Sequence, residues 1–365
     1  MSFRVTRRAP GHLEIFVLLH PKHIGRTLLR IVALLSFVIC VGVHAAQNGA
    51  PAAALIPCDR PCLKSFADAY FAALLSHSTA TLPLDSHVRM TENTIAIPVG
   101  EGVMWRALSK PPDHFRIDVI DVVSQQIAVG SVLEIGGRTN LAALRLKIKS
   151  RRIVEIEQLF TGMIQPVALP NLKQPRAALL SDVPPERRNT RGQMQLIAES
   201  YFDALTSEDS RRAPFAADCI RHETGIQTTA NKAPLDLELP ANTPADARER
   251  MTRLMRGMSV LTCPAQIDSG LFADLWKVWP RRPIVIDEEK GLVAAFPMFI
   301  QNGDVRPTPL KGYPGVDRLP NPLPFTTQWL EIFKIYGGQI HEIEAPVFIP
   351  LSFGAGNGWD EGSGL

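Results

Sequence analysis

Two stretches decide how this chain is read: residues 66–92, FADAYFAALLSHSTATLPLDSHVRMTE, and residues 197–223, IAESYFDALTSEDSRRAPFAADCIRHE. Laid over one another at a constant offset of 131, eight of 27 positions are identical without a gap. They are Ala67/Ala198, Tyr70/Tyr201, Phe71/Phe202, Ala73/Ala204, Leu74/Leu205, Ser76/Ser207, Pro83/Pro214 and Glu92/Glu223. Unrelated segments of ordinary composition would share roughly two. A second echo, IVEIE at 153–157 against IHEIE at 340–344, has an offset of 187, so the second copy carries about 56 more residues. The chain reads as a duplication.

Outward from these stretches, both copies follow one order. Phe66, Tyr70, Phe71 and Leu74 recur at helical spacing, which predicts an amphipathic helix over 63–76 and its partner over 194–205. A Pro-containing turn and a short strand ending in Glu92 or Glu223 follow. In the first copy a helical turn is predicted over 103–108, then β-rich runs at 114–123, 126–134, 141–149 and 153–160. The second copy inserts a helix over 244–257 before strands at 278–286, 292–300, 326–336 and 339–349, with turns at Glu289-Lys290-Gly291 and Gly337-Gly338. The units are accordingly set at 58–162 and 192–350. A Pro-rich linker, 163–191, lies between them, and a Gly-rich tail, 351–365, is expected to be loosely held. Residues 303–324, with six prolines, read as a long loop of the lid or docking kind.

Residues 1–45 read as a signal peptide: basic residues through Arg30, an apolar run over 31–43, then small residues at Val43 and Ala45. The run is short of the roughly 20 residues that span a bilayer, so cleavage and no stable membrane insertion afterwards are expected. The leader holds 6 of the 39 basic residues and 1 of the 36 acidic ones, so the remainder is near −2 although the whole chain is +3. No basic cluster is left to bind nucleic acid. The expected location is the periplasm or the cell exterior. There, Cys58, Cys62, Cys219 and Cys263 are expected to form disulfides. Three pairings are open, and Cys58–Cys62 with Cys219–Cys263 is preferred because each bridge stays within one unit. No metal site is expected, because the histidines are scattered singly. Phosphate-binding Gly loops, G-x-S-x-G and H-E-x-x-H are absent from the sequence.

The order helix, short strand, helical turn, long antiparallel strands resembles the nuclear transport factor 2-like superfamily, which includes SnoaL-like proteins. The likeness rests on Ala67–Leu74, its copy Ala198–Leu205, and the strand pattern. The phrases at 91–93, 221–225, 285–289 and 354–359 are similar to an uncharacterised family of exported tandem proteins. The resemblance implies an α+β fold of two tandem cone-shaped units, each a curved, mainly antiparallel sheet wrapped around an N-terminal helix. Members include isomerases, dehydratases, epoxide hydrolases, cyclases and catalytically silent binding modules. Their enzymes usually work without a cofactor, through an Asp, His or Tyr inside the cone. Members often dimerise through outer sheet faces, so two copies in one chain imply an internal pseudo-dimer.

The candidate chemistry follows. Glu92 and Glu223 occupy equal places, and alternation points Glu92 inward. A carboxylate at an apolar mouth is a general acid or base, whereas one bonded to backbone or arginine is structural. His222 and Glu223 are neighbours on a strand and face opposite ways. Asp287 shares a face with Val285 and is expected at the pocket rim. His222, Glu223 and Asp287 are the catalytic candidates. Glu92, Trp105, Gln266, Asp268 and His341 are candidate pocket residues, and Trp276, Trp279 and Trp329 are expected in the core or pocket wall. The expected function is a cofactor-independent lyase, isomerase or hydrolase of a small apolar molecule, with its pocket in the second unit. The alternative is a non-catalytic ligand-binding or protein-interaction module.

Overall fold

The computed structural model describes residues 57–360 apart from 234, 305, 319 and 320, so the expected signal peptide lies outside the described residues. Among the described residues no helix is long and apolar enough to cross a membrane. Helix α1 (Arg60–Leu75) starts three residues before its apolar stripe. Asp59 caps it, accepting from Cys62 N at 3.0 Å, and Pro61 occupies the first turn. Strands β1 (Leu84–Glu92) and β2 (Ile95–Ala96), the short helix α2 (Val103–Ala107) and strands β3 (Leu108–Lys110), β4 (Arg116–Asp121), β5 (Gln126–Ile135), β6 (Arg138–Lys149) and β7 (Arg152–Thr161) follow. They form a curled seven-stranded sheet ordered β2-β1-β7-β6-β5-β3, with β4 on β5. Only β1 and β7 pair in parallel.

After the linker, which contains α3 (Ala177–Leu180), the order repeats. Helix α4 (Arg191–Ser207) is opened by a Thr190/Gln193 capping box. Then come β8 (Phe215–Glu223), β9 (Ile226–Gln227), the inserted helices α5 (Ala245–Ser259) and α6 (Cys263–Asp268), and β10 (Leu275–Val278). Strands β11 (Pro283–Asp287), β12 (Leu292–Ala295), β13 (Met298–Gln301), the small hairpin β14 (Thr308–Pro309) and β15 (Asp317–Arg318), β16 (Phe325–Tyr336) and β17 (Gln339–Ser352) complete the chain. The starts of α1/α4, β1/β8 and β2/β9 are each 131 apart, and those of β6/β16 and β7/β17 are 187 apart. The extra residues fall between β9 and β10 and between β13 and β16. Two expected strands are divided: Pro280 separates β10 from β11, and Pro297 separates β12 from β13, because proline cannot donate to a ladder.

The second sheet has eight strands, ordered β10-β13-β16-β17-β8-β9, with β12 on β16 and β11 on β12; β8 and β17 are its parallel pair. The result is a mixed α+β protein. One apolar core lies between α1 and the first sheet, around Tyr70, Phe71, Trp105, Leu144 and Ile156. A second lies between α4 and the second sheet, around Tyr201, Phe202, Trp329, Phe333 and Ile343. A third joins the outer faces, with Ile117, Val119, Leu141 and Leu159 against Val285, Phe296, Leu330, Ile332 and Val347. Here Gly130 allows close approach, since a Cβ would lie 3.0 Å from Pro346 and 3.3 Å from Ile332.

Charged contacts along the seam are reciprocal. Asp121, at the end of β4, accepts from both terminal nitrogens of Arg191 (2.8 and 2.6 Å) and from Ile286 N. Asp287, at the end of β11, accepts from both terminal nitrogens of Arg60 (2.7 and 2.9 Å) and from Ile120 N. Each arginine is the first residue of its unit's helix. Burial works against the Asp121 charge, but Arg191 and three backbone donors hold the carboxyl below its ordinary range.

The tail is not loose through residue 360. Trp359 Nε1 donates to Thr91 Oγ1 (2.9 Å), and the indole lies 4.6 Å from the Arg89 guanidinium and 4.7 Å from that of Arg145. Gly358, at φ +77°, passes over the Thr94 carbonyl at a place where a Cβ would come within 2.3 Å. The linker does the corresponding job on the second sheet: Asn171 donates to Gly225 O, and Arg176 ion-pairs with Glu342 and Glu344.

Candidate functional site

In the interior of the first unit a polar chain links the helix to the sheet, and beside it Trp105 Nε1 is a buried donor without a partner of its own among the described residues. Tyr70, buried on α1, donates to Gln158 Oε1 (2.9 Å), and Gln158 Nε2 donates to Glu92 Oε2 (2.8 Å). Glu92 also accepts from Val103 N (2.7 Å) and Met104 N (3.1 Å), the first amides of α2. This is the structural reading of Glu92: its oxygens satisfy donors that a helix end leaves unpaired. Trp105 packs edge-on against Tyr70 at 5.6 Å and forms part of the core.

The second unit has the same framework and different chemistry. Arg221 stands where Met90 stands, Ala345 where Gln158 stands, and Glu331 where Leu144 stands. Tyr201 keeps the place of Tyr70. Arg221 and Glu223 are two apart on β8 and face inward as an ion pair, with Arg221 packed over Phe272. Glu331 lies between Trp329 and Phe333 on the inward face of β16, at a register shift between Leu330 and Ile332. Its carboxylate is 3.9 Å from Arg221 and its side chain is 0% exposed, whereas Glu223 retains 28% exposure and marks the solvent end of the cluster. Among the described residues neither oxygen of Glu331 nor Arg221 Nε has a hydrogen-bond partner, and Tyr201 Oη has none beyond the Arg221 guanidinium that it faces. Buried polar atoms are seldom left so, and their gathering in one place is a concentration of unspent hydrogen-bonding capacity.

The electrostatics follow from that burial. Burial pushes the Glu331 carboxyl up to about 8; Arg221 opposes the rise and Glu223 adds to it. Arg221 stays charged despite its burial, through Glu223, Tyr201 and Glu331. Burial raises the Tyr201 hydroxyl out of the physiological range. At neutral pH the cluster therefore combines a carboxyl able to hold a proton, a neutral phenol and a guanidinium already partnered by Glu223.

The sequence candidates divide accordingly. Glu223 belongs to this cluster. His222 is on the opposite face of β8, beside Glu344; burial and Arg176 push it down to about 3, so it is neutral, and its Nδ1 lacks a partner among the described residues. Asp287 is in the seam with Arg60, on a strand separated from β8 by β12, β16 and β17, so it does not join His222 and Glu223. Gln266 fastens α6 by donating to Thr228 O and Met258 O, and Asp268 accepts from the amide and hydroxyl of Ser210. His341 stacks on Tyr336 at 3.6 Å and pairs with Asp218 through Nδ1 (2.7 Å). Trp329 is in the core as expected, but Trp276 and Trp279 are half exposed, because β10 is an edge strand with an irregular register. Both preferred disulfides are present, Cys58–Cys62 and Cys219–Cys263, the second tying β8 to α6. Among the described residues no group of three or more His, Cys, Asp or Glu is arranged to hold a metal.

Tyr201, Arg221 and Glu331 did not stand out in the sequence. Tyr201 is one position of an apolar helix stripe, and Arg221 is a single charge beside His222 and Glu223. Glu331 had a usable signal, a lone carboxylate alternating with Trp329 and Phe333 on the apolar face of a strand.

A family model described as "Domain of unknown function (DUF8021)" matches residues 187–347. The matched span runs from just before α4 into β17 and contains Tyr201, Arg221, Glu223 and Glu331; the first unit lies outside it. No curated protein matches the chain.

Proposed function

We propose that the second unit is the working half of an exported, cofactor-independent acid–base enzyme, an isomerase, lyase or hydrolase of a small, largely apolar molecule. Glu331 is the principal proton-transfer group, Glu223 the solvent-side carboxylate, Arg221 the group that balances both, and Tyr201 a hydroxyl donor. The observation that carries this reading is Glu331: fully buried, with neither oxygen hydrogen-bonded among the described residues, at the place where the first unit has Leu144. A carboxyl raised toward neutrality can give and take a proton at the pH of the medium, which is the requirement of general acid–base catalysis. The aromatic surroundings, Trp329, Phe333 and Phe272, suit an apolar substrate.

The same reading takes the fold as two tandem nuclear-transport-factor-2-like cones joined by their outer faces as an internal pseudo-dimer, with the first unit as the structural half. The repeated element order and the reciprocal Asp121–Arg191 and Asp287–Arg60 contacts support it. Export is supported by the two disulfides, which persist in oxidising compartments.

The test compares wild-type protein with Glu331→Gln after incubation with small-molecule extract from the host's own medium, followed by mass spectrometry. Circular dichroism verifies that both are folded. Consumption of a compound by the wild type alone supports the reading. Equal consumption by the two, or none by either, overturns it.

A further inference from the structure

We propose that the inserted helix α6 is a clamp on the backbone of Arg221, with Thr228 and Thr229 as the positioning residues through which it sets that guanidinium between Glu223 and Glu331. The inference rests on the reading of the Tyr201, Arg221 and Glu331 cluster as the working site, and adds what holds the cluster in place.

The clamp is built from contacts on both sides of one residue. Arg221 N donates to Thr229 Oγ1 (2.7 Å), while Arg221 O accepts from Thr228 N (2.9 Å) and Thr228 Oγ1 (3.2 Å). Helix α6 in turn holds both threonines. Gln266 Nε2 donates to Thr228 O (2.6 Å), and Cys263 Sγ lies 3.6 Å from Thr229 Oγ1. A bridged sulfur carries no hydrogen, so the Thr229 hydroxyl donates to it while accepting from Arg221 N. Cys263 and Gln266 are three apart on α6, so one face of one helix grips both threonines. The Cys219–Cys263 bridge returns that helix to β8, two residues before Arg221. Thr228, Thr229, Gln266 and Cys263 are all buried.

The first unit shows which parts are added. There Ile97 N donates to Met90 O (3.1 Å), as Thr228 N does to Arg221 O. Ile97, Pro98 and Val88 stand at the places of Thr228, Thr229 and Cys219, so neither the hydroxyls nor the strand cysteine has a counterpart. Met90 carries no charge and belongs to the apolar core. Arg221 is ion-paired with Glu223 and 3.9 Å from Glu331, and its influence on each depends on distance. The extra contacts fall on the one residue of the strand whose exact place sets the charge of its neighbours.

The experiment is a carbon-13 carboxyl NMR titration of the full, disulfide-bonded protein labelled at glutamate, comparing wild type with Thr229→Val and Thr229→Ser. Glu331→Gln assigns the Glu331 signal. Valine keeps the shape of threonine but leaves Arg221 N without its acceptor, so Arg221 shifts and restrains Glu331 less. The Glu331 midpoint in Thr229→Val is expected to rise by at least about half a pH unit, an acid about threefold weaker, while Thr229→Ser stays with wild type. An unchanged midpoint in folded Thr229→Val, or an equal rise in Thr229→Ser, overturns the clamp. Should Thr229→Val fail to fold, Gln266→Met, which releases Thr228 O, takes its place: a rise supports the clamp and an unchanged midpoint overturns it. The reading of the cluster is tested separately by the wild-type midpoint, and a value in the ordinary carboxyl range refutes that reading whatever the variants do.

Discussion

The two unit interiors share a helix, a tyrosine at the same point of it, and a β strand ending in glutamate, yet they use these parts in opposite ways. In the first, Tyr70, Gln158, Glu92 and the amides of α2 pass hydrogen bonds from one to the next. In the second, α2 has no counterpart at that place: an insertion carrying α5 and α6 follows β9, and Arg221 and Glu331 replace Met90 and Leu144. A satisfied network rigidifies, whereas a partly satisfied one costs stability and is retained where chemistry needs it.

The strongest way to break the comparison is to exchange the residues that differ. Glu331→Gln is expected to lower turnover by about a hundredfold or more, the usual scale of a lost general acid or base, while Glu92→Gln leaves turnover unchanged. Steady-state rates on the compound found in the host extract check this, and a comparable loss from Glu92→Gln would erase the distinction between the units. Next in size are the seam pairs. Arg60→Ala and Arg191→Ala should each destabilise by about 3 kcal/mol, because each leaves a buried aspartate without its guanidinium. Urea unfolding tests both, and a loss in only one of the two would show that the seam is not energetically reciprocal.

Glu331→Leu, which installs the residue of the first unit, sharpens the comparison through pH. A carboxyl raised to about 8 in the folded protein from an ordinary 4.5 favours folding below 4.5 and forfeits that contribution as pH rises from 4.5 through 8. At pH 7 the cost is on the order of 3 kcal/mol, so the leucine variant should be more stable there by up to that amount and lack this slope. His222→Thr makes the outer-face comparison with Thr91, and at pH 7 its effect should be the smallest. His222 is depressed to about 3 from 6.5 and must stay neutral to remain folded, so stability is full above 6.5 and is lost as pH falls from 6.5 toward 3. The threonine variant should flatten that acid limb in thermal melts between pH 7 and 4; an unchanged limb would assign it to other groups.

Particular residues show how far sequence reading reached. The stripe Phe66, Tyr70, Phe71, Leu74 placed α1, and only its start was missed, because Asp59 and Pro61 extend the helix backwards through capping and not through apolar spacing. Glu223 was legible as an inward-facing carboxylate because repetition and alternation are properties of one strand. Asp287 was misplaced by the same alternation: the face it shares with Val285 meets the other unit. Glu331 was passed over because its meaning depends on β8 and α4, more than a hundred residues away in sequence.

The sequence by itself determined the duplication, the helix and strand types, and the cysteines suited to bridge within each unit, since these rest on spacing and identity along the chain. The tertiary structure alone decided which carboxylates are satisfied, which are buried without partners, and that the tail grips the first sheet through Trp359. Hydrogen-bond satisfaction and desolvation are sums over neighbours brought from distant segments, and no local pattern in the chain carries them.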